Sequence, residues 1–185
     1  MGGERWVLFS SRKQADAARA FFAPLRRPGA EGDTAYGYVS LGDESGDCWL
    51  SWTSPLKLEI GYSFGNHDGN SAAAEITARE IARRFKIRRI GADSTGWYPD
   101  KQWESTDPMG APARYGAYKS WAAWVKEWTP KWSFTVMMIR GRLEGTEDPA
   151  TQEEYEGWLV DVTKLLNKVE IAILDQFKAL DEKAA

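Results

Sequence analysis

A chain of 185 residues in which 43% are hydrophobic and 28% are charged has the size and composition of one globular domain. Its net charge is −3, no apolar run approaches the roughly 20 residues that span a bilayer, and its N-terminus lacks a basic stretch followed by an apolar one, so we expect a cytoplasmic protein with no membrane partner. Cys48 is the single cysteine, which excludes an intramolecular disulfide and a multi-cysteine metal site, and we expect no metal or cofactor.

The first half of the chain shows the pattern of a strand, a helix and a three-strand meander. Residues 4–10 predict a strand, and the segment after it places four apolar side chains at helical spacing: Ala15, Ala18, Phe22 and Leu25. Strand-like stretches follow at residues 36–41, 48–53 and 56–64, separated by turn sequences. Alternation in the last stretch puts one apolar row on one face, so the opposite face should be wetter: Leu56, Leu58, Ile60, Tyr62 and Phe64.

A helix is predicted over residues 71–85, and a strand over residues 87–92. The inner face of this helix carries small and apolar side chains: Ala74, Ala78, Ile81 and Phe85. Its outer face carries two oppositely charged pairs at i,i+4 spacing: Glu75 with Arg79 and Glu80 with Arg84. The order β-α-β-β-β-α-β over residues 1–92 predicts an α+β fold with a mainly antiparallel sheet of about five to six strands, covered by helices.

The second half continues the same single domain, residues 1–185, with a long loop and three further elements. Residues 93–113 are rich in Gly, Pro, Asp and Ser and are too long for a simple connection, so we assign them as a candidate functional loop. Within residues 114–185 we predict an aromatic helix at 115–128, a strand at 132–140 and a long amphipathic helix at 151–180.

The C-terminal helix is the clearest element of the sequence. Its start is marked by Asp148 and Pro149, and a near-heptad stripe follows: Tyr155, Leu159, Val162, Leu166, Val169, Ile173 and Leu180. Thirty residues rise about 45 Å, more than a domain of this size comfortably covers. The helix therefore packs across its own sheet, kinks at Gly157, or forms a homo-oligomer through residues 151–180.

The chain is tryptophan-rich, and six of its ten tryptophans lie in residues 97–132. In the predicted aromatic helix, the helical spacing of four side chains favours core packing: Tyr118, Trp121, Val125 and Trp128. Three more aromatic residues lie in the polar loop, where burial is less expected, and exposed Trp and Tyr are typical of binding hot spots: Trp97, Tyr98 and Trp103. We assign them a contact surface on which neighbouring carboxylates meet a basic partner protein: Asp93, Asp100, Glu104 and Asp107.

Carboxylates beside aromatic rings also suggest an enzyme. Paired carboxylates flanked by aromatic platforms are the general pattern of sugar hydrolases, and the candidates for such a pair are Glu59, Asp93, Asp100 and Glu104. Residues 93–96 have one residue too many for an aspartic protease motif and do not match the phosphate-loop motif, so we favour a capped turn for them.

The single histidine, His67, precedes Asp68 in a stretch rich in Asn and Gly. Adjacent residues rarely orient one another for general-base chemistry, and these residue types suit a turn before a helix. A nucleophilic pair of Cys48 with His67 would require the fold to bring two distant residues together by chance, so we favour structural roles for both.

Five cations crowd into residues 83–89 and form a candidate anion-binding patch: Arg83, Arg84, Lys86, Arg88 and Arg89. Cations at a helix C-terminus also complement the helix dipole, and the acidic final helix offers them internal partners. Residues 93–185 carry 16 acidic and 11 basic side chains, which argues against nucleic acid as the main partner.

The leading hypothesis from sequence is a non-enzymatic, cytoplasmic binding domain that occludes another protein, as an inhibitor or a toxin-neutralising immunity protein does. One alternative is a hydrolase that uses paired carboxylates beside an aromatic platform. The other is a phage or multi-subunit assembly component that oligomerises through its C-terminal helix. No stretch of the sequence matches a family motif that could be carried over residue by residue.

Overall fold

A computed structural model describes residues 2–26, 38–87, 89–93 and 134–184. It shows an α+β fold with an antiparallel sheet and a long C-terminal helix, as expected. The strands, in chain order, are β1 Gly2–Leu8, β2 Tyr38–Asp43, β3 Gly46–Trp52, β4 Lys57–Ser63 and β5 Arg89–Asp93. The helices are α1 Arg12–Phe22, α2 His67–Phe85, α3 Phe134–Glu144 and α4 Pro149–Ala184.

Neighbouring strands pair antiparallel in the order β2-β3-β4-β1-β5. The predicted meander is confirmed, with Leu50 of β3 opposite Ile60 of β4 and Val39 of β2 opposite Leu50. β1 inserts beside β4 rather than at the edge, so the first strand of the chain is central. Because β1 and β5 are antiparallel, the last residue of β5, Asp93, lies opposite Glu4 near the start of β1.

The core lies between one face of the sheet and helices α1, α2 and α4. Helix α1 begins at Ser11, whose hydroxyl accepts from the Gln14 amide at 3.2 Å, and it buries Ala15, Ala18 and Phe22 as predicted. In β4 the expected alternation holds, since Leu58, Ile60 and Tyr62 are buried. Phe64 is 48% exposed because it lies just beyond the last strand residue, Ser63.

The predicted outer face of α2 is wrong, because Glu75, Arg79 and Glu80 are buried and the expected i,i+4 pairs do not form. Glu75 accepts from Arg5 on β1 at 2.5 Å. Arg79 bonds Glu170 on α4 at 3.0 Å, and Arg84 pairs with Asp181 near the end of α4. The cause is the position of α2 between the sheet and α4, which brings both sides of the helix against other elements.

The strand predicted at residues 132–140 is also wrong, because helix α3 occupies residues 134–144. Periodicity alone does not distinguish a short apolar run in a strand from one in a buried helix. In the structure these residues form a helix, which packs on α4. The connection between the two helices spans only residues 145–148, which is typical of a helical hairpin.

Helix α4 is one continuous helix of 36 residues that passes through Gly157. Its C-terminal half packs on the core through five buried side chains: Leu166, Val169, Ile173, Phe177 and Leu180. In its N-terminal half, Trp158 and Val160 are each 51% exposed. Among the described residues, no helix is both long enough and apolar enough to cross a membrane.

Candidate functional site

Most of the aromatic contact surface predicted from the sequence lies outside the described residues. This is so for the loop positions Trp97, Tyr98, Asp100, Trp103, Glu104 and Asp107, and for the aromatic helix predicted at 115–128. Asp93 is the exception, since it ends β5. The assignment of a contact surface to the remaining residues stays a prediction.

The strand register places two of the candidate catalytic positions, Glu59 and Asp93, on one face of the sheet. Asp93 lies opposite Glu4 on β1, and Glu59 lies opposite Trp6, two residues further along the same strand. All four positions therefore share the face away from α2. Strand spacings of about 4.8 Å and rises of about 3.3 Å per residue put the Cα atoms of Glu59 and Asp93 roughly 12 Å apart, across β1.

The carboxylate of Glu59 already has partners within the sheet. Its Oε1 accepts from Lys57 Nζ at 2.8 Å and from the Thr53 hydroxyl at 3.1 Å. The Lys57 ammonium also lies 5.7 Å from the centre of the Trp6 ring. These contacts place Glu59 in a cluster with Lys57, Thr53 and Trp6, and they explain its presence without catalysis.

Cys48 is not available as a nucleophile at neutral pH. Its side chain is buried on the core face of β3, where Sγ lies 3.4 Å from the Thr77 hydroxyl. Burial raises the pKa of the thiol to about 12. Thr77 follows His67 by ten residues of α2, roughly 15 Å of helix, so the fold does not bring Cys48 to His67.

Residues 66–70, around His67, instead form hydrogen bonds with the hairpin between β2 and β3. Asn66 Nδ2 donates to the Ser45 carbonyl at 2.7 Å, and Asn70 accepts from the Asp47 amide at 3.0 Å. Gly69 lies so close to the backbone of Ser45 that a Cβ there would overlap it. This close approach supports the structural interpretation of the Asn- and Gly-rich sequence.

The predicted anion-binding patch is partly occupied by internal partners. Arg84 bonds both carboxylate oxygens of Asp181 and stacks over Phe21, 4.6 Å from its ring centre. Arg83 bonds Glu80 at 2.6 Å, and this bond raises the pKa of the guanidinium. Lys86 closes α2 in a left-handed conformation with φ of 53°. Arg88 lies outside the described residues, and Arg89 begins β5.

A solvent-facing cleft lies where the helical hairpin of α3 and α4 meets the first turn of α2. Its volume is about 440 Å³, within the range of roughly 300–1,000 Å³ typical of ligand sites. It is lined by four apolar and three charged side chains: Ile139, Trp158, Val162, Leu165, Asp68, Arg142 and Asp161. We call this the hairpin cleft.

Apolar side chains form the base of the hairpin cleft, and charged side chains form its rim. Ile139 of α3 is buried, and Val162 and Leu165 of α4 are half-buried against the core. Trp158 has an exposed ring that contacts Tyr155 edge to face, with ring centres 5.8 Å apart. The cleft therefore has an aromatic anchor and an apolar base, and no described residue fills it.

The hairpin that forms the cleft is acidic. Residues 139–165 contain seven acidic and three basic side chains, a net charge of −4, and all ten are solvent-exposed. The acidic residues are Glu144, Glu147, Asp148, Glu153, Glu154, Glu156 and Asp161. The hairpin therefore brings more negative than positive charge to the neighbourhood of the cleft, with Arg142 as a positive charge in the lining.

This cleft could not be predicted from the sequence, because residues 132–140 were expected to form a strand. Without helix α3, the predicted fold has no second wall for the cleft. One feature of the sequence does point to an exposed surface here, because Trp158 lies beside the apolar stripe of α4 rather than within it.

Comparisons of the chain with protein families, with curated proteins and with solved structures find no match.

Proposed function

We propose that this protein is a non-enzymatic binding protein that takes up a segment of another protein in the hairpin cleft. The observation that carries the proposal is the half-exposed ring of Trp158 above an apolar base of Val162 and Leu165. Tryptophan is enriched among the residues that dominate binding energy, particularly beside apolar pockets. Occlusion of the partner's surface, as by an inhibitor or immunity protein, is the mode of action we propose.

The contacts of the other candidate groups support binding rather than catalysis. Glu59 is held by Lys57 and Thr53, and the Cys48 thiol is buried with a raised pKa. Trp97, Tyr98 and Trp103, which lie outside the described residues, remain a second predicted contact region.

An unbiased peptide selection tests the proposal without knowledge of the partner. Random peptides of about 16 residues, long enough to fill a groove as a strand or a helix, are selected by display on the full chain. We expect an enriched family whose binding is lost in Trp158→Ala and kept in Val160→Ala. Both side chains are 51% exposed on α4, but only Trp158 lines the cleft.

Thermal unfolding of the same variants provides the control for structure. Because Trp158 is exposed, its replacement by Ala should change the free energy of unfolding by no more than about 0.5–1 kcal/mol. If no selected peptide depends on Trp158, the cleft is not a binding site and the proposal fails. A family that instead depends on Trp97 or Trp103 would move the contact surface to the 93–113 loop.

A further inference from the structure

We infer that the occupant of the hairpin cleft is a basic amphipathic helix of a partner protein. This inference rests on the proposed function and specifies the chemistry of the partner. It is carried by the shape of the two helical walls and by the charge around them.

The walls of the cleft present side chains at helical spacing along a short groove. From α4 come Trp158, Asp161, Val162 and Leu165, which share one face because their spacings are three, one and three residues. From α3 come Ile139 and Arg142, also three apart. The α4 wall covers eight residues, from Trp158 to Leu165, which rise about 10 Å or two helical turns.

A third helix is the element that fits a groove between two packed helices. Helix-in-groove recognition uses apolar anchors at positions i, i+3 or i+4, and i+7, which also cover about two turns. The volume of about 440 Å³ accommodates such anchors. Ile139, Val162 and Leu165 would contact the anchors, with the Trp158 ring packed against their outer edge.

The negative net charge of the hairpin indicates that the polar face of the partner helix is positively charged. Asp68 and Asp161 lie in the lining, and the hairpin as a whole has a net charge of −4. Lys or Arg residues flanking the apolar anchors would therefore be attracted to Asp68 of α2 and Asp161 of α4, rather than to the α3 side of the cleft, which carries Arg142. The same charge disfavours a second copy of this chain, whose hairpin would bring another −4 to the contact.

Binding of designed peptides tests this inference. The probe is a fluorescein-labelled peptide of about 18 residues, long enough to form a helix, with Leu at the helical anchor positions and Lys elsewhere. Two matched probes carry Glu in place of Lys, or the same Leu and Lys residues in an order that breaks the helical spacing. We expect the full chain to bind the Leu/Lys helix at least tenfold more tightly than either matched probe, by fluorescence anisotropy.

Two pairs of variants locate the binding. Trp158→Ala should weaken binding of the Leu/Lys helix about tenfold or more, while Val160→Ala leaves it unchanged. Asp161→Lys should weaken it about three- to tenfold and improve binding of the Leu/Glu helix, while Asp175→Lys, an exposed reversal elsewhere on α4, does neither. The side chain of Asp161 is 79% exposed and its ion pair with Lys164 is long, at 3.8 Å, so its reversal should not unfold the chain.

Several outcomes would overturn the inference. Equal effects of Asp161→Lys and Asp175→Lys would show diffuse attraction to an acidic surface, and tighter binding of the broken-order probe would exclude a helix. A dimer in light scattering that Trp158→Ala abolishes would make a second copy the occupant. Trp158-dependent binders of acidic or extended character from the unbiased selection would refute the basic helix and leave the proposed function standing.

Discussion

The two halves of helix α4 share one sequence pattern and differ in what surrounds them. Residues 166–180 place their apolar stripe against α1, α2 and the sheet, and every stripe position there is buried. Residues 155–165 continue the stripe, but Tyr155, Leu159 and Val162 are only half-buried. The N-terminal half meets α3 and the mouth of the cleft, whereas the C-terminal half meets the main core.

Because of this difference, we assign the C-terminal half of α4 to stability and its N-terminal half to the proposed recognition. Apolar side chains that are fully covered by the chain contribute to folding, while those left half-covered can gain more burial from a partner. The continuous helix makes the two halves mechanically one element, which anchors the cleft on the core. Substitutions in the two halves should accordingly affect different measurements.

Leu166→Ala should have the largest effect on stability. Leu166 is fully buried, and truncation of such a leucine costs about 2–5 kcal/mol through lost burial and the cavity that remains. Urea unfolding of the variant should show that loss, whereas Val160→Ala should change the free energy of unfolding by about 0.5 kcal/mol or less. Equal losses in the two variants would contradict the division of α4 into a core half and a recognition half.

Arg79→Met should have the next largest effect, because Arg79 joins α2 to the core half of α4. Its side chain is 10% exposed and contacts Glu80 at 3.5 Å and Glu170 at 3.0 Å. Loss of these charged bonds should cost about 1.5–3 kcal/mol. In a double-mutant cycle with Glu170→Gln, the two losses should be less than additive.

An exposed pair in the recognition half provides the comparison for this cycle. Lys164 contacts Asp161 at 3.8 Å, with side chains 70% and 79% exposed. Lys164→Met should therefore leave the free energy of unfolding within about 0.5 kcal/mol of the wild type.

The double-mutant cycle of Arg79 and Glu170 also has an outcome that would contradict the prediction. Additive losses for Arg79→Met and Glu170→Gln would show that the Arg79–Glu170 ion pair does not couple α2 to α4.

Local sequence patterns were sufficient for most elements of the described fold. The β2-β3-β4 meander follows from alternation and turn residues, and α1 follows from its Ser11 cap and apolar spacing. Helix α4 begins at Pro149, directly after Asp148, where the sequence indicated. In each case the information lies within about ten neighbouring residues.

The errors arise where the decisive contacts are distant in sequence. Glu75 finds Arg5, 70 residues away, and Arg79 finds Glu170, 91 residues away, so no local pairing rule could identify these partners. The apolar run of α3 fits a strand as well as a helix until α4 is present to pack on it. The hairpin cleft requires Asp68, α3 and α4 together, which explains why a sequence pattern of any one element does not show it.

Asp148→Ala should have the most local effect, since Asp148 acts on the first turn of the recognition half. The Asp148 carboxylate accepts from the Thr151 amide at 3.0 Å and from the Thr151 hydroxyl at 2.5 Å, and these bonds lower the pKa of the carboxyl group. Hydrogen exchange of the Thr151 amide should therefore accelerate in the variant, with amides of residues 166–180 unaffected.

The pH dependence of that cap gives the sign of the effect. Because the pKa of Asp148 is lower in the folded chain than its unfolded value of about 3.9, the contribution of the cap is fully present above that unfolded value. It is lost as the pH falls through the lower folded value. Wild-type protection of the Thr151 amide, corrected for intrinsic exchange, should thus fall toward that of Asp148→Ala only in acid. Protection that is the same in both proteins at neutral pH would show that α3, rather than the cap, holds the start of α4 and the adjoining wall of the cleft.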